Sequence, residues 1–343
     1  MNIKTLKNVF NPLRIFSIVF FTVFFFFFFL LLYLMFGPVS INSDIDFGVT
    51  FSQVSANEVE IDWQKAYTSI LDDLEVRNLR LIAYWSLIEE NKGEYLFNDL
   101  DWQVNEAKKR GAKVILAFGS KLPGPLECYN PEWTKELSIE EKQENALLFI
   151  KEVVSRYDSE DTITTWQVED DPLGWKSEDC INMNEEFLDK EIALVEKNNF
   201  SNKPILLTTS GEFSSWLKPA TLGDKLGISI SRTNWTNYLG YFKYPINSVF
   251  YKKRANLNRI LTKNDDIIVT DLQTEPIGPK PILKMSSTDW EMSMSLVMFR
   301  STITYVKETG FDEVYLRGVE WWYYMKGEGD DSFWNEAKKL WSE

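Results

Sequence analysis

Eight times between Asp46 and Glu320 a short apolar run rich in β-branched residues is followed by a segment with helical periodicity. The runs are Asp46–Ser52, Leu79–Trp85, Lys113–Gly119, Ile163–Asp170, Pro204–Ser210, Leu226–Arg232, Asp266–Gln273 and Glu313–Glu320. Runs apolar on both faces suit strands covered on both sides, as in a parallel sheet. Between them, Tyr67, Ile70, Leu71 and Leu74 repeat at i, i+3, i+4 and i+7. Leu100, Val104 and Ala107 do the same before Lys108-Lys109-Arg110, with Gly111 as the helix stop. Phe149, Val153 and Val154 serve before the fourth run, and Phe187, Ile192 and Val195 before the fifth. The alternation predicts an α/β fold, a closed (β/α)8 TIM barrel. A doubly wound open sheet is the rival. It normally carries a glycine-rich phosphate loop after its first strand, and Phe51-Ser52-Gln53-Val54 is not one.

The barrel pattern leaves the N-terminus aside. Residues 1–14 are short and basic (Lys4, Lys7, Arg14), and residues 15–36 form a 22-residue apolar run with no charge. At ~1.5 Å per residue such a helix crosses ~30 Å of hydrocarbon. Gly37-Pro38-Val39-Ser40 is a poor match to a signal-peptidase site, so the run reads as an uncleaved transmembrane signal anchor. Basic residues ahead of the span keep residues 1–14 in the cytoplasm and send the rest outside. Residues 37–45 then form a linker, and 46–343 the barrel domain.

Past the apolar run, 34 basic residues stand against 51 acidic ones, a formal charge of −17. That sign argues against a nucleic-acid partner. The chain has no histidine. This excludes Ser-His-Asp and Cys-His nucleophile systems and any imidazole metal site, and two cysteines alone make no structural zinc site. Acid–base chemistry therefore falls to carboxylates, tyrosine or lysine, with no metal and no organic cofactor expected. Thirteen Trp and fourteen Tyr mainly serve packing, but aromatic faces also stack on sugar rings.

A barrel builds its site at the C-terminal ends of its strands. Those ends carry Gln53; Tyr84 and Trp85; Glu169, Asp170 and Asp171; Glu212; Arg232; Asp271, Gln273 and Glu275; and Glu320, Trp321 and Trp322. If the fourth strand stays extended, Gln167, Glu169 and Asp171 share one face, with Trp166, Val168 and Asp170 on the other. Asp271, Gln273 and Glu275 share a face of the seventh. Two carboxylates facing each other across one pocket are what glycosidic cleavage requires: one protonates the leaving oxygen while the other attacks or stabilises the oxocarbenium-like centre.

Three stretches sharpen this. Leu79–Phe118 (LRLIAYWSLIEENKGEYLFNDLDWQVNEAKKRGAKVILAF) is similar to a strand 2–helix–strand 3 unit, WQVEDDP (Trp166–Pro172) to a fourth-strand motif, and TDLQTEP (Thr270–Pro276) to a seventh-strand motif. The family they resemble is the clan A glycoside hydrolases, closest to the family 42 β-galactosidase-like and cellulase-like barrels. The resemblance runs from about Asp46 to Trp341. It implies Asp171 as acid/base, Asp170 at the sugar 2-hydroxyl, and Asp271 as nucleophile with Glu275 as the alternative. It implies Arg80 as partner of the nucleophile and Trp321 or Trp322 as a sugar platform. Trp85, Glu169, Gln273 and Glu320 complete the expected substrate-binding set.

The family carries Glu where this chain has Asp171 and Asp271, and Asn where it has Asp170. Each Asp is one methylene shorter, which withdraws the carboxylate by about a C–C bond length, whereas a retaining pair sits ~5–5.5 Å apart. Loop three (Leu122–Cys128) lacks the expected Trp, and Ile277 replaces a common aromatic. Cys128 and Cys180 fall on neighbouring loops at one rim. In an oxidising exterior they suit a disulfide closing a ~50-residue loop, worth roughly 2–4 kcal/mol, with two separate buried thiols as the alternative. The resemblance implies a hydrolase of a β-linked glycan using two carboxylates, in a retaining mechanism, and the apolar run makes it membrane-anchored and extracytoplasmic. A glycan-binding pseudoenzyme of the cell surface and an envelope scaffold without a ligand remain as alternatives.

Overall fold

The computed structural model of the chain describes residues 12–126, 128–174, 180, 181 and 183–342. The strands are β1 (Asp46–Thr50), β2 (Asn78–Tyr84), β3 (Lys113–Gly119), β4 (Ile163–Val168), β5 (Ile205–Ser210), β6 (Lys225–Ile230), β7 (Thr233–Thr236), β8 (Gly240–Lys243), β9 (Ile267–Gln273) and β10 (Glu313–Arg317). Eight of them close a parallel barrel in the order β1-β10-β9-β6-β5-β4-β3-β2. This is the fold that the alternation predicts. β7 and β8 form a separate antiparallel hairpin, with Thr233 opposite Lys243 and Thr236 opposite Gly240. It grows from the mouth after β6, and the sequence reading did not foresee it.

The helices are α1 (Pro12–Met35), α2 (Gln53–Glu58), α3 (Trp63–Asp72), α4 (Trp85–Ile88), α5 (Asn98–Lys109), α6 (Ile139–Tyr157), α7 (Glu185–Asn198), α8 (Leu217–Leu222), α9 (Ser248–Thr262), α10 (Ser287–Ser293), α11 (Leu296–Lys307), α12 (Val319–Gly327) and α13 (Ser332–Lys338). Starts are well marked. Ser138 and Glu141 form a reciprocal capping box on α6, and Asn247 caps α9 by accepting from the Phe250 N–H at 3.1 Å. The apolar faces bury as the periodicity requires: Tyr67, Ile70 and Leu71 on α3, and Phe149, Val153 and Val154 on α6, join one core between the strands and the helix ring.

Inside the barrel the side chains are layered. Ile115, Leu206, Ile268 and Tyr315 make a small apolar cluster apart from the main core. Next to it come the buried polar residues Thr50 on β1, Arg80 on β2, Gln167 on β4, Thr208 on β5 and Thr270 on β9. The polar layer turns toward the strands' C-terminal ends, where function is expected on a barrel.

α1 includes one described segment long and apolar enough to cross a membrane, Arg14–Met35, with a mean hydropathy of 2.9 in its most apolar window and none of that window buried. Most of the basic segment expected over residues 1–14 lies outside the described residues. The expected linker, 37–45, has no regular structure but is tied to the barrel wall. The Asn42 N–H donates to Lys307 O at 2.8 Å, and Lys252 Nζ donates to Ser40 Oγ at 2.6 Å.

Candidate active site

β9 departs from strict alternation. Against β6, Ile228 pairs with Val269 but Ser229 pairs with Asp271; against β10, Val314 pairs with Val269 but Leu316 with Leu272. One extra residue on β9 therefore forms a bulge, a device that re-aims side chains beside active sites. Ile268 lies in the inner cluster while Val269 and Leu272 lie in the outer core. The bulge thus leaves both Thr270 and Asp271 toward the barrel axis. Asp271 is 7% exposed, and its Oδ1 has no hydrogen-bond partner among the described residues. Burial raises its pKa, against the pull of Arg317 and Arg80.

Arg317, the last residue of β10, is the cation here. Its Nη1 stands 3.6 Å from Asp271 Oδ2, and its Nε stands 2.9 Å from Glu275 Oε1 as an ion pair off the line of a hydrogen bond. Its pKa rises, chiefly through the Asp271 carboxylate. Glu275 is raised by burial, with Arg317 opposing. Gly318 follows with φ +107°, and a Cβ there would lie 2.4 Å from Glu275 Cβ. Only glycine allows this close approach at positive φ.

Across the mouth, β4 ends at Val168. Glu169 (φ 60°) and Asp171 (φ 45°) both enter the left-handed region, which costs on the order of 1 kcal/mol or more each for such residues. The expected sharing of one face by Gln167, Glu169 and Asp171 is overturned by this turn. Asp170 takes the inward position: its Oδ1 accepts from Arg80 Nη2 at 2.7 Å, Thr208 Oγ1 at 3.0 Å and Gln167 Nε2 at 3.3 Å. Arg80 is fully buried and also donates from Nε to Gln167 Oε1 at 2.7 Å and from Nη1 to Thr270 O at 3.2 Å. Its direct carboxylate partner is therefore Asp170 rather than Asp271.

Glu169 turns the other way, to the back of the strand. Its carboxylate accepts from the N–H groups of Ser120 (2.7 Å) and Lys121 (2.5 Å) and meets the fully buried carboxyl of Glu191 on α7. Gly119, at φ +136°, leaves room for it: a Cβ there would stand 2.3 Å from the carboxyl. Burial pushes Glu169 up to about 7 and Glu191 well above its usual range. Asp171 is half-buried behind Gly174, with its N–H on Thr208 Oγ1 at 2.8 Å. Its Oδ1 lacks a partner among the described residues, and burial raises its pKa.

A cavity of about 420 Å³ opens at this mouth, of a size that holds a small ligand. Glu275, Glu320, Trp321, Arg317 and Glu58 line it, walled by the proline-rich segment Pro276–Ile282 and by Gly124 and Pro125. Glu320 is buried, accepts from the Ser52 N–H at 2.6 Å, and is pushed up to about 8 by that burial. Asp170, Asp171 and Asp271 are not among the lining residues. Trp321 shows only an edge, and its Nε1 has no partner among the described residues. Gln273 accepts from the Thr233 N–H at 3.4 Å, while its Nε2 is unpartnered.

Two expected sugar contacts are corrected. Trp85 has no exposed surface; it stacks on Phe149 at 5.7 Å, meets Trp133 edge-on at 5.9 Å, and donates to Glu89 Oε2 at 2.6 Å. It starts α4, which turns it out of the barrel. Trp322 is likewise core, edge-on to Phe299 at 5.4 Å and donating to Thr274 O at 2.9 Å. Arg317, Thr208 and Glu58 were not foreseen. Arg317 carried a signal, as an arginine inside a buried strand run just before a glycine. Cys128 and Cys180 form a disulfide, with Cα atoms 5.4 Å apart, tying loop three to loop four at this rim.

No family model and no curated protein matches the chain. Solved structures do. The chain is similar to GH5_18 from Bifidobacterium longum subsp. longum ATCC 55813, with a TM-score of 0.58 and 12% identity, over 80% of this chain and 70% of that one. It is similar to the beta-galactosidase from Rahnella sp. R3, with a TM-score of 0.58 and 12% identity, over 89% and 57%. It is also similar to the exo-beta-1,4-mannosidase Op5Man5 from Opitutaceae bacterium strain TAV5, with a TM-score of 0.55 and 10% identity, over 81% and 53%. The chain thus spans little more than half of the latter two. At such identity the likeness is one of fold: the same closed barrel, shared with glycosidases.

Proposed function

We propose that this chain is a membrane-anchored glycoside hydrolase of clan A type, most like family 42, whose barrel works on a β-linked glycan outside the cytoplasm. In this reading residues 1–14 stay in the cytoplasm, 15–36 span the bilayer, 37–45 connect, and 46–343 hold the site. The supporting observation is a set of buried polar atoms at or just beyond the C-terminal ends of strands with no hydrogen-bond partner among the described residues: Asp171 Oδ1, Asp271 Oδ1, Gln273 Nε2 and Trp321 Nε1. Buried polar groups are normally satisfied, so orphaned donors and acceptors together suit a ligand that offers both, as a sugar's hydroxyls do.

Asp271, aimed inward by the bulge and held beside Arg317, takes the nucleophile's place, with Glu275 sharing the same cation. Asp171, whose pKa burial raises, donates the proton to the leaving oxygen. Asp170, fixed by Arg80 and Thr208, receives a sugar hydroxyl, and Trp321 offers an aromatic edge. No metal or organic cofactor has a part in this chemistry.

A second reading has its own observation. The Asp171 carboxylate turns toward Thr209 and Ser210, and an Asp already draws it back by a methylene. A barrel that binds glycan without cutting it fits that placement.

The test is turnover of a panel of aryl β-glycosides by the full chain, beside Asp271→Ala, Asp171→Ala, Asp171→Glu and Asp271→Glu. Wild-type turnover that falls on the order of 10³-fold in Asp271→Ala supports the hydrolase. Binding without turnover, with activity only in the Glu variants, selects the pseudoenzyme. Absence of any glycan binding sinks both.

A further inference from the structure

Helix α9 differs from the rest of this acidic domain. Over Ser248–Thr262 it carries Lys252, Lys253, Arg254 and Arg259 and no acidic residue, in a chain of net charge −14. Its neighbour α11 carries Arg300 and Lys307, again without an acid. The two are joined where Tyr305 donates to Ile246 O at 2.9 Å and meets Tyr251 edge-on at 6.2 Å. The acids nearby are few: Glu308 accepts from Ser248 Oγ, Asp266 faces Lys225, and Glu336 pairs with Arg300 at 2.8 Å, which leaves the α9 cations without an acidic partner among the described residues. The outer face of α9 shows Leu257, Ile260 and Leu261, at 37%, 76% and 59% exposure. Spaced i, i+3, i+4 and flanked by basic side chains, they make the pattern of a helix lying in a membrane interface.

The second observation is where α1 ends. Its side chains stay exposed until the last turn, and that turn lies on α9. Lys253 Nζ donates to Tyr33 O at 2.5 Å and to Phe36 O, and sits 4.1 Å from the Tyr33 ring centroid. Asn247 Nδ2 donates to Met35 O. The apolar segment is 22 residues. At ~1.5 Å each they span ~33 Å, about the thickness of the hydrocarbon. No polar length is left to hold the barrel off the bilayer, and the chain that follows is bonded along the barrel wall instead of serving as a tether.

We infer that the outer face of α9, with the adjoining α11, rests on the lipid surface beside the anchor, its leucine and isoleucine side chains in the interface and its basic groups at anionic headgroups. This rests on the membrane-anchor reading of α1. Barrel helices run alongside the strands, so a barrel lying on α9 has its axis along the bilayer plane. Its mouth then opens sideways over the membrane, toward glycan close to the lipid.

The test uses the full chain in nanodiscs of anionic lipid, disulfide intact, with a nitroxide on Ile260→Cys or, as a control, on Leu148→Cys. Leu148 is exposed on α6, which precedes β4, three strands round the barrel from β9. Power saturation with oxygen and with a nickel chelate reads lipid against water. We expect an oxygen-to-nickel ratio several-fold higher at 260 than at 148. Equal ratios overturn the inference, and so does a label at 260 shielded from both reagents, which gives the face to a second protein. Failure of the chain to float with liposomes removes the anchor reading itself and the inference with it.

Discussion

Glu169 and Asp170 are neighbours in sequence and opposites in environment. Asp170 faces the mouth and is held by Arg80, a fully buried cation 2.7 Å away. Glu169 faces the helix layer, where it meets two backbone N–H groups and a second carboxyl, Glu191, and pairs with no cation among the described residues. Burial raises both carboxyls, and the Glu169 charge raises Glu191 further, which favours the protonated form there. The mouth acids are balanced by guanidinium groups, whereas burial pushes the rear pair toward the uncharged form. The first arrangement keeps charge where a substrate arrives. The second holds the left-handed turn at Glu169 that throws Asp170 inward.

The largest expected effect breaks the mouth half of the comparison. Arg317→Met leaves Asp271 and Glu275 buried without their shared cation. Removing one partner of a buried ion pair costs about 3–5 kcal/mol. The loss should be full at pH 8 and smaller at pH 5, where acids already raised by burial take up protons. Urea unfolding at both pH values checks it; an equal loss at both would mean that Arg317 acts by packing alone. Reduction of Cys128–Cys180 supplies a contrast. Opening that loop should cost roughly 2–4 kcal/mol, by a similar amount at pH 5 and 8, because the loss is chiefly one of chain entropy in the unfolded state.

The rear pair is broken by Glu191→Leu. Glu169 titrates at about 7 in the fold, above its unfolded value of ~4.3. The folded state therefore holds more protons between these values. That stability is present below the unfolded value and is lost as pH rises through about 7. Through Glu169 alone the wild type should lose on the order of 2 kcal/mol between pH 5 and 8. In Glu191→Leu, Glu169 keeps its two N–H donors, which favour the charged form, and the slope should flatten. A variant with the wild-type pH slope would show that the two carboxyls titrate independently.

These contrasts also mark what the sequence could and could not reveal. Eight buried runs predicted eight barrel strands because burial on both faces leaves its mark in every residue. The β7–β8 hairpin escaped because Thr233–Lys243 mixes aromatic and polar residues, and neither period dominates. The site was legible as a set of strand ends, since carboxylates gather there. Its geometry was not. Alternation assigned Glu169 and Asp171 to the mouth, but positive φ at both residues breaks the period at that point. The bulge on β9 has no marker in TDLQTEP, yet it decides that Asp271 faces the axis. Trp85 was placed at the sugar by its position, whereas the start of α4 turns it into the core. Arg317 hid inside a run that read as strand alone.

The smallest effect tests the same division on another adjacent pair. Trp322 packs on Phe299 and donates to Thr274 O, so Trp322→Phe should cost about 1 kcal/mol of stability and leave glycan binding unchanged. Trp321 packs on Phe333 at 4.6 Å, but its Nε1 has no protein partner to lose. Trp321→Phe loses buried ring volume but no protein hydrogen bond among the described residues, so it should cost less stability than Trp322→Phe while weakening oligosaccharide binding roughly threefold, through one lost donor. Calorimetric titration and thermal unfolding of the two variants read both quantities. If Trp321→Phe lowers stability as much as Trp322→Phe, Trp321 belongs to the core. If Trp322→Phe weakens the glycan as much, the boundary between mouth and core does not run between these two residues.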